Sequence, residues 1–484
     1  MTEIQESHYT ENVQEHLQQV QYLLQKHALV EALVQKQELP RQERHELLET
    51  LLHKRHLAEL RDKLGDLHPA DIAYILEALP IEQRLLVWDL VKAERDGEIL
   101  IEVSDAVRES LIAAMSRDEL REAAEQLDTD EIADLAPDLP HSVMRDVFKS
   151  LSIEEREQLR AAMSYPEDAV GALMDFDMVT IREDVTLEVV SRYLRRFEEL
   201  PDHTDQLFIV DRDDHFKGVL ALNSLLVNEP ELEVASLMTT GNITLHPDDK
   251  ADQAAQAFER YDLVSAPVVD EDGMLVGRVT VNTVMDFIRA ESESDVLNLA
   301  GLREEEDIFA SVWKSAKNRW MWLALNLCTA FFASRVIGTF EGTIEKFVAL
   351  AALMPIVAGM AGNSANQTTT IIIRSMALGQ INPSNARRMI NKELAIGALN
   401  GLVWGSVAGL FAYMLYQNIW IGVILTSAML LNLLLGALAG LMIPLALQRM
   451  GRDPAIGSSV LLTAITDSGG FFIFLGLATI FLTH

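Results

Sequence analysis

Ile456-Gly-Ser-Ser-Val-Leu-Leu-Thr-Ala-Ile-Thr-Asp467-Ser-Gly-Gly-Phe-Phe-Ile-Phe-Leu-Gly-Leu-Ala-Thr-Ile-Phe-Leu482 is an apolar run with a carboxylate near its middle. A bilayer core takes about 20 helical residues, so the run is long enough to cross one. No other acid or base stands between Asp453 and His484. An ionised side chain at that depth costs at least ~2.5–3.5 kcal/mol on insertion scales. Such an acid faces a water-filled path, a partner charge or an ion; the bland alternative is an acid protonated or snorkelling against a neighbouring helix. Asp467 points to a transport protein before any other segment is read.

Upstream, four more apolar stretches have the length of a crossing: Trp320–Ile337, Ile344–Met376, Leu394–Tyr416 and Ile421–Leu447. The second contains Pro355, Gly359 and Gly362, which predict a kinked or partly irregular helix of the kind tolerated where backbone lines a cavity. Lys314, Lys317 and Arg319 precede the first stretch; Arg374, Arg387, Arg388 and Lys392 flank the loop after the second; Arg449 and Arg452 follow the fourth. Positive loops stay inside, so these clusters predict a cytoplasmic N-terminus and, after five crossings, His484 outside. Gly397, Gly401, Gly405 and Gly409 repeat every four residues along the third stretch, as Gly436 and Gly440 do in the fourth. Small residues at this spacing let helix backbones approach closely, within the chain or against a second copy.

The front of the chain is of the opposite character. From Ser311 onward eleven basic residues stand against five acids, so the net charge of −33 leaves −39 on Met1–Ala310. Such a surface repels nucleic acid and attracts cations, although a solvated acidic surface has the same composition. Cys328 is the only cysteine, which excludes a disulfide framework or a cysteine metal site. Glu3, Glu6 and Glu11 do not fit a cleaved signal peptide.

Two internal repeats organise this acidic half. Leu67-His-Pro-Ala-Asp-Ile-Ala-Tyr-Ile-Leu-Glu-Ala-Leu-Pro80 returns as Leu127-Asp-Thr-Asp-Glu-Ile-Ala-Asp-Leu-Ala-Pro-Asp-Leu-Pro140. Each has a polar helix start, apolar residues at helical spacing and a proline stop. Residues 57–165 therefore read as an all-α superhelix of stacked helix pairs, preceded by a charged helical extension over 1–56. The second repeat alternates strands with helices. Leu173-Met174, Val179-Thr180, Phe208-Ile-Val-Asp211 and Gly218-Val219 are echoed by Leu237-Met238, Ile243-Thr244, Pro267-Val-Val-Asp270 and Gly277-Arg-Val279. Asp-Arg-Asp-Asp at 211–214 and Asp-Glu-Asp-Gly at 270–273 mark hairpin turns.

This second pattern resembles a tandem pair of CBS domains, over 171–230 and 235–290. The resemblance implies a regulatory α/β module that can bind ATP or a related nucleotide through a Thr/Ser and a ribose-binding Asp. Thr280 matches the first of these; the Asp is missing from both copies.

An acidic helical repeat domain, a CBS pair and five spans together resemble the MgtE family of magnesium channels, from Leu57 to the C-terminus. Pro355-Ile-Val-Ala-Gly-Met-Ala-Gly-Asn-Ser-Ala-Asn-Gln367 is similar to the family's Pro…Gly-Asn-x-Gly-Asn-Gln signature, with Ala365 in place of a glycine. Asp453-Pro-Ala followed by Thr463-Ala-Ile-Thr-Asp467-Ser-Gly-Gly is similar to its second signature. The resemblance implies a homodimer in a bacterial inner membrane, with a connecting plug helix over 291–318 and a five-helix transmembrane domain over 319–484. The second and fifth helices of both copies would line the pore. Asp467 would then be the pore carboxylate, with Pro355, Gly359, Gly362, Asn363, Asn366, Gln367, Thr463 and Thr466 lining it. Magnesium is a hard cation that prefers oxygen ligands and sheds water reluctantly, which suits carboxylate, amide and carbonyl oxygens.

Gating by internal magnesium is likewise implied by the resemblance. Carried over one by one, the sensor acids are Glu98, Asp130 and Asp134 in the helical domain, Asp252 and Asp262 in the second CBS copy, Asp286, Glu291 and Asp295 in the connecting segment, and Asp453 at the membrane boundary. Lys250, Thr283 and Ser294 stand where the family has acids, which implies weakened sensing. The alternatives are a carrier of cobalt or manganese or an ion-coupled exporter, since oxygen ligands suit several hard cations, and a membrane-anchored scaffold. No nucleophile elbow, phosphate-cradling loop or HExxH pattern occurs, so an enzyme is not expected.

Overall fold

A computed structural model describes residues 13–28, 56–91, 93–300, 302, 307–377, 380–381, 383–454 and 457–482. Most of the 1–56 extension and the terminal His484 lie outside these residues. The chain divides into two compact units, Met1–Arg289 with Glu306–Ala310, and Ala290–Glu305 with Ser311–His484.

In the first unit, helices over 13–28 and 56–65 precede eight short ones, from Pro69–Glu77 to Ile153–Ala162. The repeat puts equivalent residues into one core: Leu67, Ile72, Ile75 and Leu79 are buried, as are Leu127, Ile132, Leu135 and Leu139. The prolines act differently from the stop expected of them. The helices end at Glu77 and Leu135, and Pro80 and Pro140 occupy the N-caps of the next helices, Ile81–Trp88 and His141–Ser150. Proline's missing N–H costs nothing at a helix start. Ser116 with Glu119, Asp128 with Glu131, and Ser152 with Glu155 form capping boxes that start three more.

Next comes a three-stranded sheet in which β1 (Thr180–Arg182) pairs parallel with β2 (Gln206–Val210), and β2 antiparallel with β3 (Phe216–Ala221). The second copy has β4 (Ser265–Val269) antiparallel to β5 (Leu275–Thr280). Its expected Ile243-Thr244 strand is reduced to a single parallel bridge, Leu245 to Val268. Both hairpins turn on the same device: Asp211 accepts from the amides of Asp213 and His215, and Asp270 from those of Asp272 and Met274.

The connecting helix spans Val281–Ala300 rather than 291–318. The hydroxyl of Ser311 accepts from Lys314 N, so a new helix, Val312–Gly338, begins there. Four helices among the described residues are long and apolar enough to cross a membrane: Val312–Gly338, Arg387–Tyr416 within the helix Pro383–Tyr416, Ile419–Arg449 and Ser458–Leu482. The remaining candidate is divided. A short helix, Glu341–Lys346, is followed by non-helical backbone at Phe347 and then by the 29-residue helix Ala349–Ala377. The break therefore lies before Pro355, which the long helix carries inside it. Phe331, Phe332, Leu399, Leu402 and Phe411 point outward, as lipid-facing side chains do.

Both glycine stripes pack within the chain. Gly397, Gly401, Gly405 and Gly409 meet Leu433, Leu430, Thr426 and Gly422 of the helix Ile419–Arg449. A methyl group at Gly401 would lie 2.7 Å from Leu430 Cα. Gly436 and Gly440 in turn meet Ala361 and Ala365 of Ala349–Ala377. The helix Ile419–Arg449 is the centre of this unit, with buried residues along most of its length.

Candidate functional sites

The helix Ala349–Ala377 has two unlike faces. Leu353, Val357, Ala361, Ala365 and Ile372 are buried. Pro355, Gly359, Asn363, Asn366 and Gln367 are exposed, and Gly362 is half-buried beside them. Three amides therefore project from an uncovered stripe of this helix. Gly362 lies against Thr466, which brings this helix onto Ser458–Leu482 one residue from Asp467. Asp467 is half-buried, between buried Thr466 and buried Ser468.

The two threonines expected to line a path differ. Thr466 is fully buried and donates to Leu462 O at 3.0 Å. Its hydroxyl serves helix packing. Thr463 is exposed and donates to Ser459 O at 2.9 Å. Two polar residues with no sequence signal of their own also hold this unit together. Asn432, 0% exposed, donates through Nδ2 to Val357 O at 3.1 Å and abuts Gly470. Glu393 is buried and accepts from the Thr368 hydroxyl at 3.0 Å.

In the first unit the acids converge on the helix Thr129–Leu135. Burial pushes the Asp130 carboxyl up to about 7, and the charge of Asp175 adds to the shift. Burial raises Asp134 to about 6; Arg108 opposes that, while Glu131 and Asp286 reinforce it. Glu131 is raised by burial and by the charges of Asp128, Glu98 and Asp175. Asp128 is raised by burial and by Asp177 and Asp202. Asp96 reaches about 7 through burial, with Glu119 contributing. Asp286, on the helix Val281–Ala300, is raised by burial.

Glu98, Asp130, Asp134 and Asp286 are thus brought together electrostatically. Asp128, Glu131 and Asp175 join them, and sequence reading passed these over although Asp-Thr-Asp-Glu at 128–131 is a visible acidic run; Asp96 is coupled to Glu119 instead. Asp175 is fixed by a nearly buried ion pair with Arg278, at 2.8 Å to Nε and 2.7 Å to Nη2.

Asp252 and Asp262 lie apart from this group, exposed at the two ends of the helix Ala251–Tyr261. Asp252 sits in the first turn, where a carboxylate complements the helix dipole, and Asp262 is the left-handed C-cap with φ 51°. In the second unit, Glu291 and Asp295 lie on the connecting helix. Asp453 accepts from Asn298 Nδ2 at 3.3 Å, which ties the membrane boundary to that helix. Asn298 is a further residue that sequence reading missed.

Two other groups have local explanations. Asp211, Asp213 and His215 offer ligand atoms within 4.8 Å of one another. Lys217, 2.9 Å from Asp211, and the turn amides already hold the Asp211 carboxyl well below the usual carboxylate range. Thr280 is buried, with its hydroxyl 3.0 Å from that of Thr283, so the one candidate nucleotide contact is turned toward a neighbour.

The chain matches the family model described as a divalent cation transporter over residues 354–477, the MgtE intracellular N domain over 67–168, and CBS domains over 170–228 and 234–290. It is 30% identical over 443 residues to the magnesium transporter MgtE of Thermus thermophilus, covering 90% of this chain and 98% of the relative. The Bacillus subtilis magnesium transporter MgtE is 26% identical over 432 residues, covering 89% and 96%. Among solved structures, the cytosolic domain of the Mg2+ channel MgtE in complex with ATP is similar over 50% of this chain and 98% of its own, at 31% identity and a TM-score of 0.45.

Proposed function

The chain belongs to the MgtE family, and from that premise we propose that it is a multi-pass channel for magnesium entry across a bacterial inner membrane. The observation that carries this reading is the uncovered polar face of Ala349–Ala377 beside Asp467. An unpaired polar stripe is costly against lipid and belongs against water or a partner. A second copy placed across it would enclose a path lined by Asn363, Asn366, Gln367 and two Asp467 carboxylates. Two carboxylates match the charge of one divalent cation, and amide oxygens can contact its hydration shell without stripping it. Thr463 would lie on this path; Thr466 would support it from behind.

Regulation follows from the acidic group. Carboxyls pushed above their ordinary range, as those of Asp130, Asp134, Glu131 and Asp286 are, lack enough positive charge around them. Magnesium held by Asp130, Asp134, Glu131, Glu98 and Asp286 would supply that charge and draw the helical and CBS parts together. When internal magnesium falls, repulsion among these acids would loosen the assembly and open the path. Glu291, Asp295 and Asp453, on and beside the connecting helix, would carry the change to the membrane. Asp252 and Asp262 remain sensor candidates through the family alone, and Lys250, Thr283 and Ser294 weaken that part. A cytoplasmic N-terminus and an outside C-terminus place the acidic unit where internal magnesium can reach it.

Uptake into proteoliposomes tests the reading. Magnesium should enter down its gradient without a coupling ion, and raised magnesium on the cytoplasmic side should suppress the flux. Entry of cobalt or manganese without magnesium would favour the other-cation reading. Flux that needs a counter-gradient of another ion would favour an exporter. ATP at Thr280 would show as a nucleotide-dependent shift in the suppressing magnesium concentration.

A further inference from the structure

Glu393 is 5% exposed, and among the described residues it is the one buried acid of the second unit. It lies in the helix Pro383–Tyr416, beside Lys392 and one residue before the apolar stretch Leu394–Tyr416, and a buried carboxylate there needs a hydrogen-bond partner. Its partner is unusual for a membrane helix. Thr370, Thr463 and Thr466 return their hydroxyls to carbonyls of their own helix. Thr368 instead reaches across to Glu393 Oε2 at 3.0 Å, and Thr369 reaches across to Gly440 O at 3.1 Å. Two consecutive threonines therefore tie Ala349–Ala377 to two different helices. At the same level a methyl group on Gly440 would lie 2.7 Å from Ala365 O, so the backbones there are already in contact.

These ties fall immediately after Asn366 and Gln367. Thr368 follows Asn366 by two residues, about 200° of helical rotation, so its bond to Glu393 lies on the reverse of the side that Asn366 presents. We propose that Glu393 is a positioning residue: its bond to Thr368 fixes the rotation at which Asn366 and Gln367 face the path. A carboxylate suits this task because a charge-assisted hydrogen bond is roughly twice as strong as a neutral one. This inference rests on the channel reading for its functional consequence, while the helix rotation stands on geometry alone.

The test separates the two. Single cysteines at Asn366 and Gln367 are introduced into protein whose Cys328 is replaced by serine, and their reaction with a water-soluble thiol reagent is followed. Glu393→Leu should slow labelling by roughly tenfold or more, the order expected for losing one bond to a charged group. Glu393→Gln, which keeps an acceptor, should restore most of it. Thr368→Val should reproduce Glu393→Leu, and the double variant should add little beyond either. Thr368→Val also serves if Glu393→Leu fails to fold. Magnesium flux should fall in parallel with labelling. Unchanged labelling in both Glu393→Leu and Thr368→Val overturns the proposal, and so does a failure of Glu393→Gln to rescue. Altered labelling in a protein that carries no magnesium would overturn the channel reading and leave the positioning role standing.

Discussion

Arg84 and Asp307, separated by 223 positions, meet in a two-pronged ion pair at 2.6 and 3.1 Å, and the arginine is 0% exposed. Arg84 Nε also donates to Leu76 O at 2.9 Å, and Nη1 to Ser110 Oγ at 3.2 Å. Asp307 in turn accepts from Phe309 N, which shapes the turn four residues before the cap of the first apolar helix. A planar guanidinium with several acceptors in fixed positions is a geometry that lysine cannot copy.

Removing one partner of such a pair leaves the other charge buried, at a cost of about 3–5 kcal/mol. Asp307→Ala should therefore lower the unfolding midpoint of the helical domain by several degrees, and Arg84→Met should cost less than Asp307→Ala. Thermal unfolding of the purified full chain measures both. Equal, small effects would mean that water reaches the pair.

Acids with raised pKa values set the pH dependence of the magnesium-free protein. Asp96 and Asp130 titrate at about 7 and Asp134 at about 6, against an ordinary value of 3.8. Below pH ~4 folded and unfolded chains both hold these protons, and the groups contribute nothing. Between pH ~4 and ~7 the unfolded chain ionises while the folded one keeps its protons, so stability falls with rising pH and then levels. In chelator the thermal midpoint should drop from pH 5 to pH 7.5, and magnesium should reverse the loss most at the higher pH. A midpoint that rises over this range would contradict the clustering.

Helix packing gives a sharper contrast. Gly401→Val forces a side chain into the Leu430 backbone and should cost about 1–3 kcal/mol. Gly338→Ala meets nothing within 4 Å and should be silent. Thermal aggregation in detergent would distinguish them.

Much of this architecture was legible in the chain. The apolar runs ended within a few residues of their helices because helix length and bilayer thickness constrain both. The Leu67 and Leu127 motifs share a core because helical spacing survives duplication, and the aspartates at 211 and 270 announced their hairpins. Partners distant in sequence were not legible. Arg84 with Asp307 and Asp175 with Arg278 carry no local signal, and Glu393 reads as loop charge beside Lys392. Asn432 is one amide in a long apolar run, and only the packed helices show which carbonyl it meets. The glycine stripes were visible, but whether they met their own chain depended on the helix Ile419–Arg449 lying between two others.

Lys250 is exposed at the N-cap of Ala251–Tyr261 and bridges to Ala169. Lys250→Glu would return an acid to that position and should lower the magnesium concentration that protects the full chain from protease. Exposed charges are worth little, so the shift should be roughly two- to fivefold. No shift, or one to higher concentration, would remove this position from the sensor.

The central claim is that Asp467 carries the charge of a magnesium path. Magnesium flux through proteoliposomes holding wild-type protein and Asp467→Asn, matched for orientation and amount, measures it most directly. The account predicts that the near-isosteric amide abolishes most of the flux while leaving the protein folded. Flux equal to that of the wild type would contradict it.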